Sequence, residues 1–116
     1  MQLASIIIPY YKKKNYIYKS INSALNQSYK NFEIILIYDD QDKEDLVFLK
    51  KKYGKNKKIR IIDNKKNIGA GMSRNIGIEV SKGRYIAFLD ADDEWNKNKL
   101  KEQINFILKN KILISH

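Results

Sequence analysis

Residues 33–40 read EIILIYDD, in which Ile34, Ile35, Leu36 and Ile37 follow one another without a polar break before Tyr38, Asp39 and Asp40. A strand with one wet face alternates apolar and polar side chains, whereas a strand buried on both faces runs apolar throughout. Glu33–Tyr38 is therefore a strand between two covering layers. Three more runs share its character: Ser5–Ile8, which Pro9 is expected to halt, Ile59–Ile62 and Tyr85–Leu89. Between the runs the apolar residues change to helical spacing. Ile17, Ile21 and Leu25 mark one helix, with Asn15 placed to cap it. Leu46, Leu49 and Tyr53 mark a second, ended by Gly54. Met72, Ile76 and Val80 mark a third, closed by Ser81-Lys82-Gly83, and Leu100, Ile104, Ile107 and Leu108 a fourth. Ile112-Leu113-Ile114 starts a fifth strand. Strand and helix in alternation define an α/β fold, a mainly parallel sheet with helices on both faces.

Such sheets bind ligands outside the carboxyl ends of their strands, where the direction of crossover changes. Here those ends carry Pro9-Tyr10-Tyr11, Asp39-Asp40, Asn64 and Asp90-Ala91-Asp92. Polar and aromatic groups collect on one edge, and that edge is the expected site.

The chain of 116 residues has the length of one domain and no apolar run near the ~20 residues of a membrane span. Its N-terminus, MQLASIII, lacks the basic start and cleavage pattern of a signal peptide, which makes the cytoplasm the expected compartment. The absence of cysteine excludes disulfides and thiolate metal sites. The net charge is +10, with lysines clustered at 12–14, 50–52, 55, 57–58 and 65–66. A basic module that stacks its tyrosines on nucleic-acid bases is one reading of that charge. The lysines are dispersed over several segments rather than along one helical face, so nucleic acid is not the expected partner. Peripheral contact with an anionic membrane surface is the secondary property such charge allows.

Against this basic background, FLDADDEW at residues 88–95 sets Asp90, Asp92, Asp93 and Glu94 in one turn after an apolar run. Asp90 and Asp92 leave the strand on the same side and can share a hard divalent cation. Mg²⁺ and Mn²⁺ suit carboxylate, water and phosphate oxygens and keep few protein ligands. The bland role, complementing a helix dipole, is assigned to Asp93 and Glu94 ahead of the fourth helix. The only histidine is His116, which leaves a histidine zinc site or catalytic triad without support.

NIGAGMSRNIG at residues 67–77 opens the third helix, and Gly69-Ala70-Gly71 has the context of a dinucleotide fingerprint, with Asp90 as its distal acid. Two features oppose a dinucleotide-binding Rossmann domain. Arg74 stands where the third glycine belongs, and the loop follows the third strand rather than the first. Arg74, one turn into the helix, can hold a phosphate or base carbonyl by paired donors, or pair with a nearby acid.

Four motifs in order, SIIIPYY, SALNQSYKNFEIILIYDD, NIGAGMSRNIG and KGRYIAFLDADDEW, resemble the GT-A-fold glycosyltransferases of family 2 from about Ser5 to Leu108. The resemblance implies a GT-A, Rossmann-like three-layer sandwich and an inverting transferase that uses a nucleotide-diphospho-sugar, of the UDP type, with Mg²⁺ or Mn²⁺. It further implies that residues 1–116 form a donor-binding domain, truncated before the acceptor half. By it, Pro9, Tyr10 and Tyr11 border the nucleotide base, and Asp39 hydrogen-bonds it, with Asp40 selected instead if the register slides by one. Arg74 lies near the base or diphosphate, Asp90 with Ala91 faces the ribose, and Asp92 binds the metal. The acceptor is a saccharide or a lipid-linked sugar of the cell envelope, which places the work at the inner face of the plasma membrane. The catalytic base is expected beyond His116, and a sheet left uncovered there would favour self-association. Tyr10 replaces a small residue of the family pattern, and Lys12 a common asparagine.

Overall fold

The computed structural model describes residues 1–110; the fifth strand expected at Ile112–Ile114 lies outside the described residues. Four strands and four helices alternate: β1 (Ala4–Tyr10), α1 (Ile17–Leu25), β2 (Phe32–Tyr38), α2 (Glu44–Tyr53), β3 (Ile59–Asp63), α3 (Ala70–Val80), β4 (Tyr85–Phe88) and α4 (Lys99–Lys109). All strand pairs are parallel, in the order β3-β2-β1-β4. The chain moves outward from β1 through β2 to β3, then returns across β1 to place β4 on its far side. The crevice of such a sheet opens between β1 and β4, where the crossover direction reverses.

Each central strand feeds two cores, as its unbroken apolar run requires. Ile6, Ile8 and Tyr10 of β1, with Ile34, Leu36 and Tyr38 of β2, pack beneath α1, α2 and α4. Ile7, Ile35 and Ile37 point the other way, toward Ile76 and Val80 of α3. Leu46, Leu49 and Tyr53 of α2 and Leu100 and Ile104 of α4 are buried as their spacing predicts. The third helix departs from expectation. Met72 is exposed, and α3 buries Ser73 and Gly77 instead. A Cβ on Gly77 would lie 2.5 Å from Ile7 Cγ2, so the missing side chain is what lets α3 press on β1.

Pro9 does not halt β1; it pairs with Ile37 inside the strand. The ladder explains why this is tolerated. Ala4 N–H donates to Asn31 and Asp39 N–H donates to the Tyr10 carbonyl, so even-numbered residues of β1 bond toward β2. Leu89 N–H donates to the Ile7 carbonyl, so odd-numbered ones bond toward β4. Pairing with β4 ends at Ile7–Phe88, and Pro9 faces the gap beyond it. A residue with no N–H loses nothing there.

Among the described residues, β3 and β4 are the outer strands of this sheet. Beside β4, Phe88 (42% exposed) and Phe106 of α4 (61% exposed) flank a groove of about 510 Å³. An unprotected edge next to apolar surface invites pairing with a second copy. The chain is expected to elute from size exclusion at an apparent mass that rises with concentration, and Phe88→Ser with Phe106→Ser to reduce that rise. A wild-type elution volume independent of concentration would contradict it. Among the described residues, no helix is long and apolar enough to cross a membrane.

Candidate active site

A cavity of about 250 Å³ opens at the carboxyl edge between β1 and β4. Pro9, Tyr10, Tyr11, Asp39, Arg74, Asp90, Ala91 and Asp92 all border it, together with Lys13, Ala70 and Ser73. The eight residues singled out in the sequence thus meet at one place, although they come from four separate segments: the end of β1, the residue after β2, the first turns of α3 and the turn after β4.

Asp39 holds the centre. It extends β2 on the face turned to α3 and is only 2% exposed. Its Oδ1 accepts from Ile68 N–H (2.8 Å) and Asn64 Nδ2 (3.0 Å), and its Oδ2 from Gly69 N–H (2.8 Å) and Asn67 Nδ2 (3.3 Å). Four donors fill the lone-pair positions of the carboxylate. Gly69 turns the loop at φ +94°, a conformation that only glycine adopts cheaply, and so brings its N–H onto Asp39. The glycine stretch is therefore wrapped around an aspartate. Asp40, by contrast, turns away from the cavity and accepts from Asp42 N–H at 3.1 Å.

Tyr10 reaches the cavity rim, but its ring is buried in the opposite core. It stacks on Tyr38 with centroids 4.9 Å apart, and its hydroxyl donates to Asp45. Burial first, then the Asp45 hydrogen bond, raises the Tyr10 phenol far above its usual range. Burial and the Asp45 charge push Tyr38 up to about 12, so it stays a donor, to the Asp42 carbonyl at 2.5 Å. The Tyr11 ring is half exposed, with Lys12 Nζ 5.3 Å from its centroid. Lys12 has φ +50°, a region asparagine tolerates better than lysine.

The acidic segment is not where a helix starts. α4 begins at Lys99 with Asn98 as its N-cap, so Asp93 and Glu94 lie well ahead of its dipole. What fixes residues 90–100 instead is a row of side chains on or just past α1. Ser20 Oγ donates to the Asp90 carbonyl (3.1 Å), and Ser23 Oγ accepts from Trp95 N–H (3.0 Å). Buried Gln27 donates to the Asn96 carbonyl (2.7 Å) and accepts from Leu100 N–H (2.9 Å). Asp93 N–H closes the turn on the Asp90 carbonyl at 3.0 Å. One carboxylate oxygen each from Asp90, Asp92 and Asp93 then lie within 4.8 Å of one another. Three hard, exposed oxygen donors on one turn fit Mg²⁺ or Mn²⁺.

Two cations face these acids across the cavity. Arg74 is 3.3 Å from Asp90 Oδ1, and Lys13 Nζ is 3.7 Å from Asp92 Oδ2. Lys13, Ser73 and the anchoring set Ser20, Ser23 and Gln27 were not singled out in the sequence. A run of three lysines offers no means of choosing the middle one, whereas a glutamine set between apolar helix and strand does signal a buried polar tie.

On the β3 side, Lys43 Nζ lies 2.7 Å from Asp63 Oδ1, which also accepts from Lys65 N–H at 2.9 Å. Burial raises the Asp63 pKa, but the Lys43 and Lys65 contacts outweigh it and hold the carboxyl below its ordinary range. A depressed folded pKa adds stability above the unfolded value, lost as pH falls through the folded one. Asp63→Asn is thus expected to lower the urea midpoint at about pH 7, with the gap to wild type narrowing as the pH falls below the ordinary carboxylate range. A gap independent of pH would show that the charge is not responsible.

An all-parallel α/β sheet with an acid-lined crevice at its switch point defines a class of ligand-binding fold, and comparison with known proteins narrows it. The family model described as glycosyl transferase family 2 matches residues 5–115. An uncharacterized glycosyltransferase of Haemophilus influenzae is 40% identical over 116 residues, all of this chain and 46% of that protein. The Escherichia coli UDP-Glc:alpha-D-GlcNAc-diphosphoundecaprenol beta-1,3-glucosyltransferase WfaP is 44% identical over 116 residues, all of this chain and 45% of WfaP. Among solved structures, S. aureus TarS 1-349 in complex with UDP-GlcNAc superposes with TM-score 0.80 and 28% identity, over 96% of this chain and 32% of TarS 1-349. The chain belongs to glycosyl transferase family 2, has the GT-A fold, and spans less than half the length of the curated relatives cited here.

Proposed function

We propose that the chain is the donor-binding part of an inverting glycosyltransferase that takes a UDP-sugar with Mg²⁺ or Mn²⁺ and serves a saccharide or lipid-linked acceptor. The observation that carries this reading is the convergence of an exposed tyrosine, a loop-anchoring aspartate, two cations and three carboxylates on one cavity. WfaP is named for a UDP-glucose donor and a diphosphoundecaprenol acceptor, and TarS 1-349 was solved with UDP-GlcNAc, which supports the donor and acceptor classes.

In this reading the Tyr11 ring covers the base, and Pro9 and the Tyr10 backbone shape its border. Asp39 acts mainly by holding residues 67–69 in place, with the base meeting the edge of that loop. Asp90 and Ala91 face the ribose, and Arg74 binds a phosphate oxygen or the base. Asp92, aided by Asp93, holds the cation. A bound divalent cation supplies charge neutralisation for the departing nucleoside diphosphate. The acceptor hydroxyl attacks the anomeric carbon opposite that leaving group, and a base takes its proton. We assign that base and the acceptor surface to the further length that relatives possess. Anionic lipid at the cytoplasmic face of the membrane is the surface this basic chain suits.

The test is a thermal melt. UDP with Mn²⁺ should raise the melting temperature clearly, while UDP or Mn²⁺ alone should do so little. Equal stabilisation by UDP without any cation would overturn the metal-bridged reading.

A further inference from the structure

We propose that Lys13 is a tethered counter-ion: it neutralises Asp92 while the cation is absent and moves to the donor's diphosphate when the cation arrives. The inference rests on the donor-site reading above and adds a residue and a sequence of charge exchange to it.

Lys13 is held and free at once. Its carbonyl accepts from Tyr16 N–H (3.0 Å) and Ile17 N–H (2.9 Å), so the first turn of α1 fixes its backbone. Its side chain is 43% exposed and, among the described residues, has Asp92 as its ion-pair partner. A lysine on a fixed backbone carries a compact charge on four rotatable bonds, which suits transfer between two anions along one wall. Both anions would lie on the cavity that Lys13 itself borders.

Charge makes the movement necessary. Asp90, Asp92 and Asp93 bring three negative charges, and Arg74 and Lys13 bring two positive ones. A divalent cation takes Asp92 less readily while an ammonium lies beside the same carboxylate, because the two repel. Once displaced, the ammonium would sit beside a cation with excess positive charge around it. A diphosphate supplies the compensating anion. Lys13 therefore opposes cation binding in the empty site and favours nucleotide binding in the loaded one. By linkage, it strengthens the coupling between the two ligands.

An idle surface ion pair would also place a lysine near an aspartate. The two accounts differ in sign. Mn²⁺ binding to the 116-residue chain is measured by the loss of free-Mn²⁺ paramagnetic resonance signal, and UDP binding at saturating Mn²⁺ by calorimetry. Lys13→Met keeps the stem and removes the charge. It is expected to tighten Mn²⁺ alone by roughly two- to fivefold and to weaken UDP in the presence of Mn²⁺ by a similar factor. Lys13→Arg should restore both. Lys14→Met, the same charge change one residue away, should alter neither. Equal shifts in Lys13→Met and Lys14→Met would reduce the effect to net charge and overturn the proposal. Normal wild-type binding with no shift in Lys13→Met would overturn it while leaving the donor site intact. Failure of the wild type to bind UDP with Mn²⁺ would overturn the donor site and this inference with it.

Discussion

Asp92→Asn is expected to remove most of the Mn²⁺-dependent gain in melting temperature that UDP confers, while the unliganded protein melts as before. Asp92 is exposed, and among the described residues its one ion pair is the half-exposed contact with Lys13, so the fold owes it little. The amide keeps one neutral oxygen and loses the charge on which a hard cation depends. Loss of a metal-site partner even outside the coordination shell costs roughly 10–100-fold in metal affinity, and loss of a ligand should cost at least that. Titration of UDP at fixed Mn²⁺ checks it. If UDP binds the variant as tightly as wild type, with the same cation dependence, then Asp92 is not the ligand, and the neighbouring Asp93 becomes the residue to replace.

Asp39→Ala should act in the opposite manner, through the fold first. The buried carboxylate receives four hydrogen bonds, two of them from the backbone N–H groups of Ile68 and Gly69. Removing it leaves those donors facing a void, a loss on the order of 3 kcal/mol, read in the urea midpoint of the unliganded chain. UDP binding should fall as well, because residues 67–69 lose their anchor. A variant as stable as wild type that merely fails to bind UDP would mean that Asp39 serves the ligand and not the loop.

The contrast between these two aspartates shows where the sequence was informative. The layered fold follows from runs such as IILI, whose lack of alternation has one structural solution, and the carboxyl-edge location follows from the fold. Spacing alone cannot tell that Asp39 points inward to a loop and Asp92 outward to solvent. That depends on which face of β2 a residue extends and on a turn pinned by Gln27, some seventy residues earlier in the chain for its Asn96 contact. Pro9 misled for a related reason: proline breaks a strand only where its neighbour needs the N–H, and strand order decides that. The dipole role given to Asp93 and Glu94 failed because the segment after β4 runs on irregularly to Lys99 before a helix forms. In α3 the fully buried positions are serine and glycine, with Ile76 and Val80 only partly buried beside them, and a search for large apolar residues passes over the first two.

The unequal lengths of the β1 partnerships bear on how the site moves. β2 pairs with β1 along all of Ala4–Tyr10, whereas β4 pairs only along Ala4–Ile7 and, among the described residues, has no strand on its outer side. The residues that would meet the base are thus carried by the most deeply embedded strands, and the three carboxylates by the strand with the lowest cost of local opening. A ligand spanning from Tyr11 to Asp92 would staple that loose edge to the rigid centre. Amide exchange in Tyr85–Leu89 would then report loading of the site, while exchange in β2 would scarcely register it.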